Sequence, residues 1–255
     1  MIYKKHFVAF ADSRMQPTLA RIQQQAQAME YYDSISVLNE YDLDPSFVTR
    51  FKKYLIKGTR GFGYWCWKPQ VILQELVKMN EGDVLQYTDA GCHLNPKGKK
   101  RLIEYFDIAH RDGILAFQAR ALNGRPDSYH DHFLPDYQWT KGDLLDYFNV
   151  RDRKDILESG TIGASVIFLK KCTFSLNIIQ QWLKVYYDDF TLADDTPSRT
   201  PNIEGFIEHR HDQAIWSILC KLNKVKTLSA CEYYPSAKWM PKGSDENNYN
   251  GYDWS

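Results

Sequence analysis

The chain has 255 residues, 44% hydrophobic and 15% aromatic, which is ample material for a packed core. Its 32 Lys plus Arg are matched by 32 Asp plus Glu, which excludes bulk attraction to nucleic acid or to anionic lipid. Cys66, Cys92, Cys172, Cys220 and Cys231 are odd in number and form no CxxC pair, so scattered free thiols in a reducing compartment fit better than a disulfide framework or a zinc site.

The apolar run after Lys4-Lys5 stops at Asp12, too short for the core of a signal peptide, and Gly160 to Leu169 is about half a membrane-crossing length. A cytoplasmic protein without a transmembrane segment is expected, with attachment at the inner face of the cytoplasmic membrane left open.

In chain order, His6 to Ala11 predicts a first strand, with Asp12 and Arg14 arriving at its end. Leu19, Ile22, Ala26 and Met29 share one face of a helix over Pro17 to Tyr32, and Ser34 to Leu38 predicts a second strand. Asp44 caps the next helix with Pro45 at its first position. Gly58 to Pro69 then puts three glycines and four bulky aromatics into twelve residues, a composition that fits neither a regular helix nor a plain solvent loop. Pro69 starts a helix to about Asn80, and Val84 to Thr88 predicts a buried strand ending in Asp89-Ala90-Gly91.

A basic helix over Lys97 to His110, a strand over Gly113 to Ala119 and a loop over Arg120 to Gln138 follow. Lys141 and Gly142 lead into a helix ending near Val150; Ser159 to Gly163 turns into a strand reaching Leu169, and Thr173 to Tyr187 predicts a helix. An acidic loop spans Asp188 to Pro201, Glu208 to Gln213 lead into a helix from Ala214 to Leu222, and Ser236 to Ser255 read as a tail. The pattern predicts one α/β domain over residues 1–235, with a mixed central sheet flanked by helices, and a tail over 236–255.

Ligands of open α/β sheets bind outside the carboxyl ends of strands, which singles out Asp89 beside the closely approachable backbone of Ala90 and Gly91. Asp89 equally suits a turn or cap, and His93 is either a second ligand or a solvated loop residue. Trp65 and Trp67 suit a sugar or base platform, a core plug, or one of each, with Arg60 and Lys68 supplying charge for phosphates. His130-x-His132 and His209-x-His211 diverge at i, i+2 on a helix and leave a third zinc ligand unlocated. Glu208, His211 and Asp212 precede an apolar helix, either as an ordinary cap or as groups that position a substrate or a base.

Five segments in this order resemble bacterial GT-A-fold glycosyltransferases of capsule and O-antigen biosynthesis: RGFGYWCWKP (Arg60 to Pro69), GDVLQYTDAGC (Gly82 to Cys92), WTKGDL (Trp139 to Leu144), SGTIGASVIFLKK (Ser159 to Lys171) and RHDQAIWSIL (Arg210 to Leu219). The resemblance implies a Rossmann-like GT-A domain. It also implies transfer of a hexose from a nucleoside diphosphate sugar, with UDP expected, to a surface-glycan or lipid-linked glycan acceptor. Asp89-Ala90-Gly91 stands where such enzymes carry a DxD-type motif, with glycine in place of the last acid.

By the same resemblance, Asp89 with His93 or a distant group holds Mn²⁺ or Mg²⁺, or Lys68 and Arg60 replace the metal. Asp212 or Glu208 is the implied base, then His211. Asp12 and Arg14 lie near base and ribose, Trp67, Ala90 and Gly91 near the donor, and Gly160 to Gly163 on the acceptor side. Lys141 reaches a phosphate or is a surface charge. A catalytically inactive nucleotide-sugar or glycan-binding module is the alternative, and a nucleotidyltransferase needs more acidic ligands than the sequence supplies.

Overall fold

Successive residues of a strand face opposite sides of its sheet, so a central strand apolar in both registers needs cover on both faces. In the first strand, β1 (Lys5–Phe10), Val8 and Phe10 enter one core and Phe7 and Ala9 another, all nearly or fully buried. The computed structural model describes residues 3–119 and 134–232; the His130-x-His132 pair, most of the predicted 120–138 loop and the predicted 236–255 tail lie outside them.

Around β1 run β2 (Ser34–Leu38), β3 (Val84–Thr88), β4 (Ile114–Gln118), β5 (Ile162–Lys170) and β6 (Lys226–Ser229), in the order β2-β1-β3-β5-β4-β6. β5 is antiparallel to both its neighbours and the other pairings are parallel, which makes the sheet mixed, as predicted. One face is covered by α1 (Gln16–Ala28) and, after α2 (Pro45–Phe51) and α3 (Trp67–Lys78), by α4 (Lys99–Asp112). The opposite face carries α2 and α3, followed beyond α5 (Gly142–Tyr147) by α6 (Thr173–Asp188) and α7 (His211–Leu222). Trp182 of α6 and Trp216 of α7 stack at 4.9 Å between centroids, both without exposure.

Three boundaries differ from the sequence reading in ways that matter for the site. α3 begins at Trp67 rather than Pro69, because proline is tolerated within a first turn whose N–H groups have no intrahelical partner. α7 begins at His211 rather than Ala214, which carries Asp212 into its first turn. β6 carried no sequence signal: it is four residues long, and its place in the sheet comes from parallel pairing with β4, Leu115 opposite Lys226 through Gln118 opposite Ser229.

The parallel strands β1 and β3 end side by side at Phe10 and Thr88, with β5 entering from the same edge. The Asp89 N–H donates to the Ser165 carbonyl at 2.8 Å, fixing the turn after β3 to the incoming β5.

Candidate active site

Between β2 and α3 the glycine-aromatic segment forms a turn of the left-handed kind. Gly61, Phe62, Gly63, Tyr64 and Trp65 have φ of 56°, 49°, 88°, 52° and 56°. Each non-glycine residue held there costs about 1–2 kcal/mol, so the surroundings must over-determine the conformation. The Tyr64 N–H donates to Arg60 O at 2.8 Å, and the Trp65 N–H and Trp67 Nε1–H both donate to Gly61 O, at 3.1 and 2.9 Å. Trp67 also stacks on Phe10 at 4.2 Å. A Cβ on Gly61 would lie 2.4 Å from the Trp65 ring. Gly61→Ala is therefore expected to destabilise the fold by about 2 kcal/mol or more, read as a lower urea midpoint with an unchanged slope.

This turn walls a cavity of about 440 Å³ at the carboxyl edge of β1 and β3. Its apolar sides are Phe10, Phe62, Trp65 and Trp67; its polar groups include Asp12, Arg14, Thr59, Asp89 and Ser165, and the Ala90–Cys92 backbone forms one side. Arg21 of α1 clamps that backbone, donating to the carbonyls of Ala90 and Cys92 at 2.7 Å each.

Below Asp89 lies a buried ionic centre. The Lys68 ammonium, 3% exposed, is 2.6 Å from Asp212 Oδ2, 3.2 Å from Asp89 Oδ1 and 3.2 Å from Ala164 O. The Ala164 carbonyl accepts a hydrogen bond from the ammonium, and the two carboxylates are its ion-pair partners. The Tyr87 hydroxyl donates to Asp89 Oδ1 at 2.6 Å, and burial holds that phenol well above its ordinary pKa, so it remains a neutral donor. Burial pulls the Lys68 pKa down, but attraction to Asp212 and Asp89 outweighs it and leaves Lys68 above an ordinary lysine.

Burial pushes Asp212 up to about 6 against the opposing pull of Lys68. A carboxyl whose folded pKa lies above its unfolded value of about 4 stabilises the fold fully below that value and loses the contribution as pH rises through the folded pKa. On acidification from pH 7 to about 4, the wild type is thus expected to gain about 1–3 kcal/mol on Asp212→Asn, read by urea unfolding of both proteins.

Seven of the sequence candidates meet at the cavity: Asp12, Arg14, Trp65, Trp67, Asp89, Ala90 and Gly91. Asp12 is fixed by Arg14, whose Nε and Nη2 donate to its two oxygens at 2.7 and 3.0 Å. Lys68 is not itself on the cavity wall; its ammonium lies 3.2 Å from Asp89, which is.

The candidates for a base lie elsewhere. Asp212 is buried behind Lys68, and Glu208 is on the surface beside Arg210 Nε at 3.0 Å. Arg60 is also outside the cavity, 3.2 Å from Asp195. The His211 Nδ1 pairs with the Ala193 carbonyl at 2.8 Å, its ring packs on Tyr64 and Trp65, and burial holds its pKa below an ordinary histidine's.

Two placements correct the sequence reading. Lys141 is neither a surface charge nor aimed at the cavity: it is buried, with its ammonium on the carbonyls of Thr191, Asp194 and Thr196. With Asp143, which accepts the N–H groups of Arg199 and Thr200, it pins the acidic loop. Gly163 sits inside β5 opposite Phe117, because the strand begins at Ile162, before the turn that glycine pairs suggested has ended. Tyr87 and Ser165 were missed, since a tyrosine and a serine within strand-like runs read as ordinary sheet residues.

Nor do the residues present fit a divalent ion. The point shared by Asp89 and Asp212 is filled by the Lys68 nitrogen, and His93 Nδ1 accepts from Gln25 Nε2 at 3.0 Å. Among the described residues no group of three or more His, Cys, Asp or Glu side chains is placed to hold a metal. The described helices include none long and apolar enough to cross a membrane.

These observations define an α/β protein with an aromatic-walled cavity at the carboxyl edge of its sheet. No family model and no curated protein matches the chain. Among solved structures it is similar to a glycosyltransferase involved in glycosylation of the major capsid of PBCV-1, at 10% identity and TM-score 0.38 over 73% of this chain and 68% of that one. Mouse xyloside xylosyltransferase 1 aligns at 11% identity and TM-score 0.41 over 94% and 90% of the two chains. The glycosyltransferase GlyE of Streptococcus pneumoniae TIGR4 aligns at 13% identity and TM-score 0.41 over 89% of this chain and 45% of that one.

Proposed function

We propose that the protein is a glycosyltransferase that moves a hexose from a nucleoside diphosphate sugar, UDP-linked by the motif resemblance, to a bacterial surface-glycan or lipid-linked acceptor. The observation that carries this reading is Asp89. Both its side-chain partners bind Oδ1, so Oδ2, on a residue that lines the cavity, has no partner among the described residues. A carboxylate oxygen between aromatic walls suits a ligand that is rich in hydroxyls and has flat apolar faces, as sugars and nucleosides do.

In the proposed reaction the donor's C1–O bond breaks with its electron pair passing to the leaving diphosphate. The acceptor oxygen bonds to C1 as its proton passes to the departing diphosphate oxygen. Asp89 orients donor hydroxyls, Trp65 and Phe62 flank the sugar or base, and the Arg14 guanidinium at the rim offers charge to the phosphates. Asp212 is a positioning residue in this scheme: it acts through Lys68 on the orientation and charge of Asp89.

The test is UDP release from a panel of UDP-hexoses with mixed glycan acceptors. Release that disappears in Asp89→Asn supports transfer. Nucleotide-sugar binding with no turnover favours the binding-module alternative, and undiminished UDP affinity in Asp89→Asn removes the cavity from the reading.

A further inference from the structure

The ionic centre has the outline of a cation site. Asp89 Oδ1, Asp212 Oδ2 and the Ala164 carbonyl converge on one point from β3, α7 and β5, three oxygens from three separate elements. Two acids and a carbonyl are donors that magnesium or manganese would accept at about 2.0–2.2 Å. Here the oxygens stand 2.6 to 3.2 Å from the centre, spacing that suits hydrogen bonds to an ammonium.

The centre is occupied by the protein itself. We infer that Lys68 is a tethered, permanent substitute for a divalent cation, and that the cavity therefore takes its diphosphate ligand without metal. This inference rests on the proposed function only for the identity of that ligand.

A metal could enter only by expelling the ammonium, and Lys68 is 3% exposed, with the buried Tyr87 ring centroid 5.5 Å from its nitrogen. Leaving a lysine there charged and unpaired is prohibitive, and neutralising it forfeits two ion pairs. Two carboxylates and one ammonium leave one net negative charge on the centre, expressed at the Asp89 oxygen that faces the ligand. An acceptor of hydroxyl protons needs that charge, whereas a phosphate does not. Positive charge for the phosphates falls instead to Arg14, on the cavity rim and 48% exposed.

The experiment is Mn²⁺ titration of the full chain, followed by the electron paramagnetic resonance of free Mn²⁺, with UDP affinity measured in parallel in Mn²⁺ and in EDTA. The expected results are no Mn²⁺ uptake that depends on Asp89, and UDP affinities in the two conditions within about twofold. One bound Mn²⁺ that is lost in Asp89→Asn, or UDP binding tightened about tenfold or more by Mn²⁺, overturns the inference. Mn²⁺ held equally by wild type and Asp89→Asn lies elsewhere on the chain and leaves the assignment of Lys68 standing. Lys68→Met, where it folds, is expected to gain an Asp89-dependent Mn²⁺ site; the comparison of wild type with Asp89→Asn decides the matter without it. Failure of UDP to bind in either condition removes the proposed function and leaves the Mn²⁺ result as the measure of Lys68.

Discussion

Asp89→Asn is expected to lower kcat/KM for transfer by about 10- to 150-fold per ligand hydrogen bond lost, corresponding to about 1.5–3 kcal/mol for a bond to a charged acceptor. The substitution keeps the shape of the side chain, and the Tyr87 hydroxyl retains a carbonyl-type oxygen as partner. It removes the charge of the cavity carboxylate whose Oδ2 has no partner among the described residues. The Lys68–Asp212 pair is left intact, so the urea midpoint should move little. Equal losses of stability and of ligand affinity would instead mark Asp89 as a structural residue.

The second large effect is expected below the cavity. Lys68→Met leaves Asp212, 5% exposed, facing Asp89 with no cation between them. Removing one partner of a buried pair costs about 3–5 kcal/mol at neutral pH, a large fraction of a domain's stability. The cost should shrink on acidification, because protonation neutralises the stranded acid. Lys68→Met combined with Asp212→Asn removes both halves and should recover much of the loss, so the double-mutant cycle isolates the pair. Equal stability of the single and double variants at pH 7 would show that water already reaches the centre.

Which parts of this were legible beforehand follows from local and non-local causes. Val84 to Thr88, the strand that follows the 159–163 glycines and reaches Leu169, and the helix of Leu19, Ile22 and Ala26 were readable because burial writes itself directly into neighbouring residues. Asp89 was readable because a strand end followed by Ala and Gly is a local pattern. Lys68 was singled out, but as a phosphate partner: a lysine before a proline shows no sign of being buried, and its partners lie 21 and 144 positions away in Asp89 and Asp212. Glycines and aromatics at 58–69 excluded a regular helix, but five consecutive left-handed residues are a tertiary outcome enforced by Gly61 O, Phe10 and Tyr186, whose hydroxyl donates to Tyr64 O. The short polar strand β6 exists through its neighbour β4 and left no trace in composition.

The left-handed turn also sets how this protein can change over time. A wall held by one carbonyl shared between two tryptophan donors cannot be altered one residue at a time: a different side chain at 61 strikes Trp65, and a different one at 67 strips Gly61 O of a partner. Met15 lies on the same cavity with 43% of its surface free, whereas Thr59 is itself tied to the turn, its Oγ1 accepting the Gly63 N–H at 3.1 Å. Divergence in ligand preference among descendants of this chain should therefore accumulate at the rim, while the aromatic wall passes from copy to copy as a single inherited block.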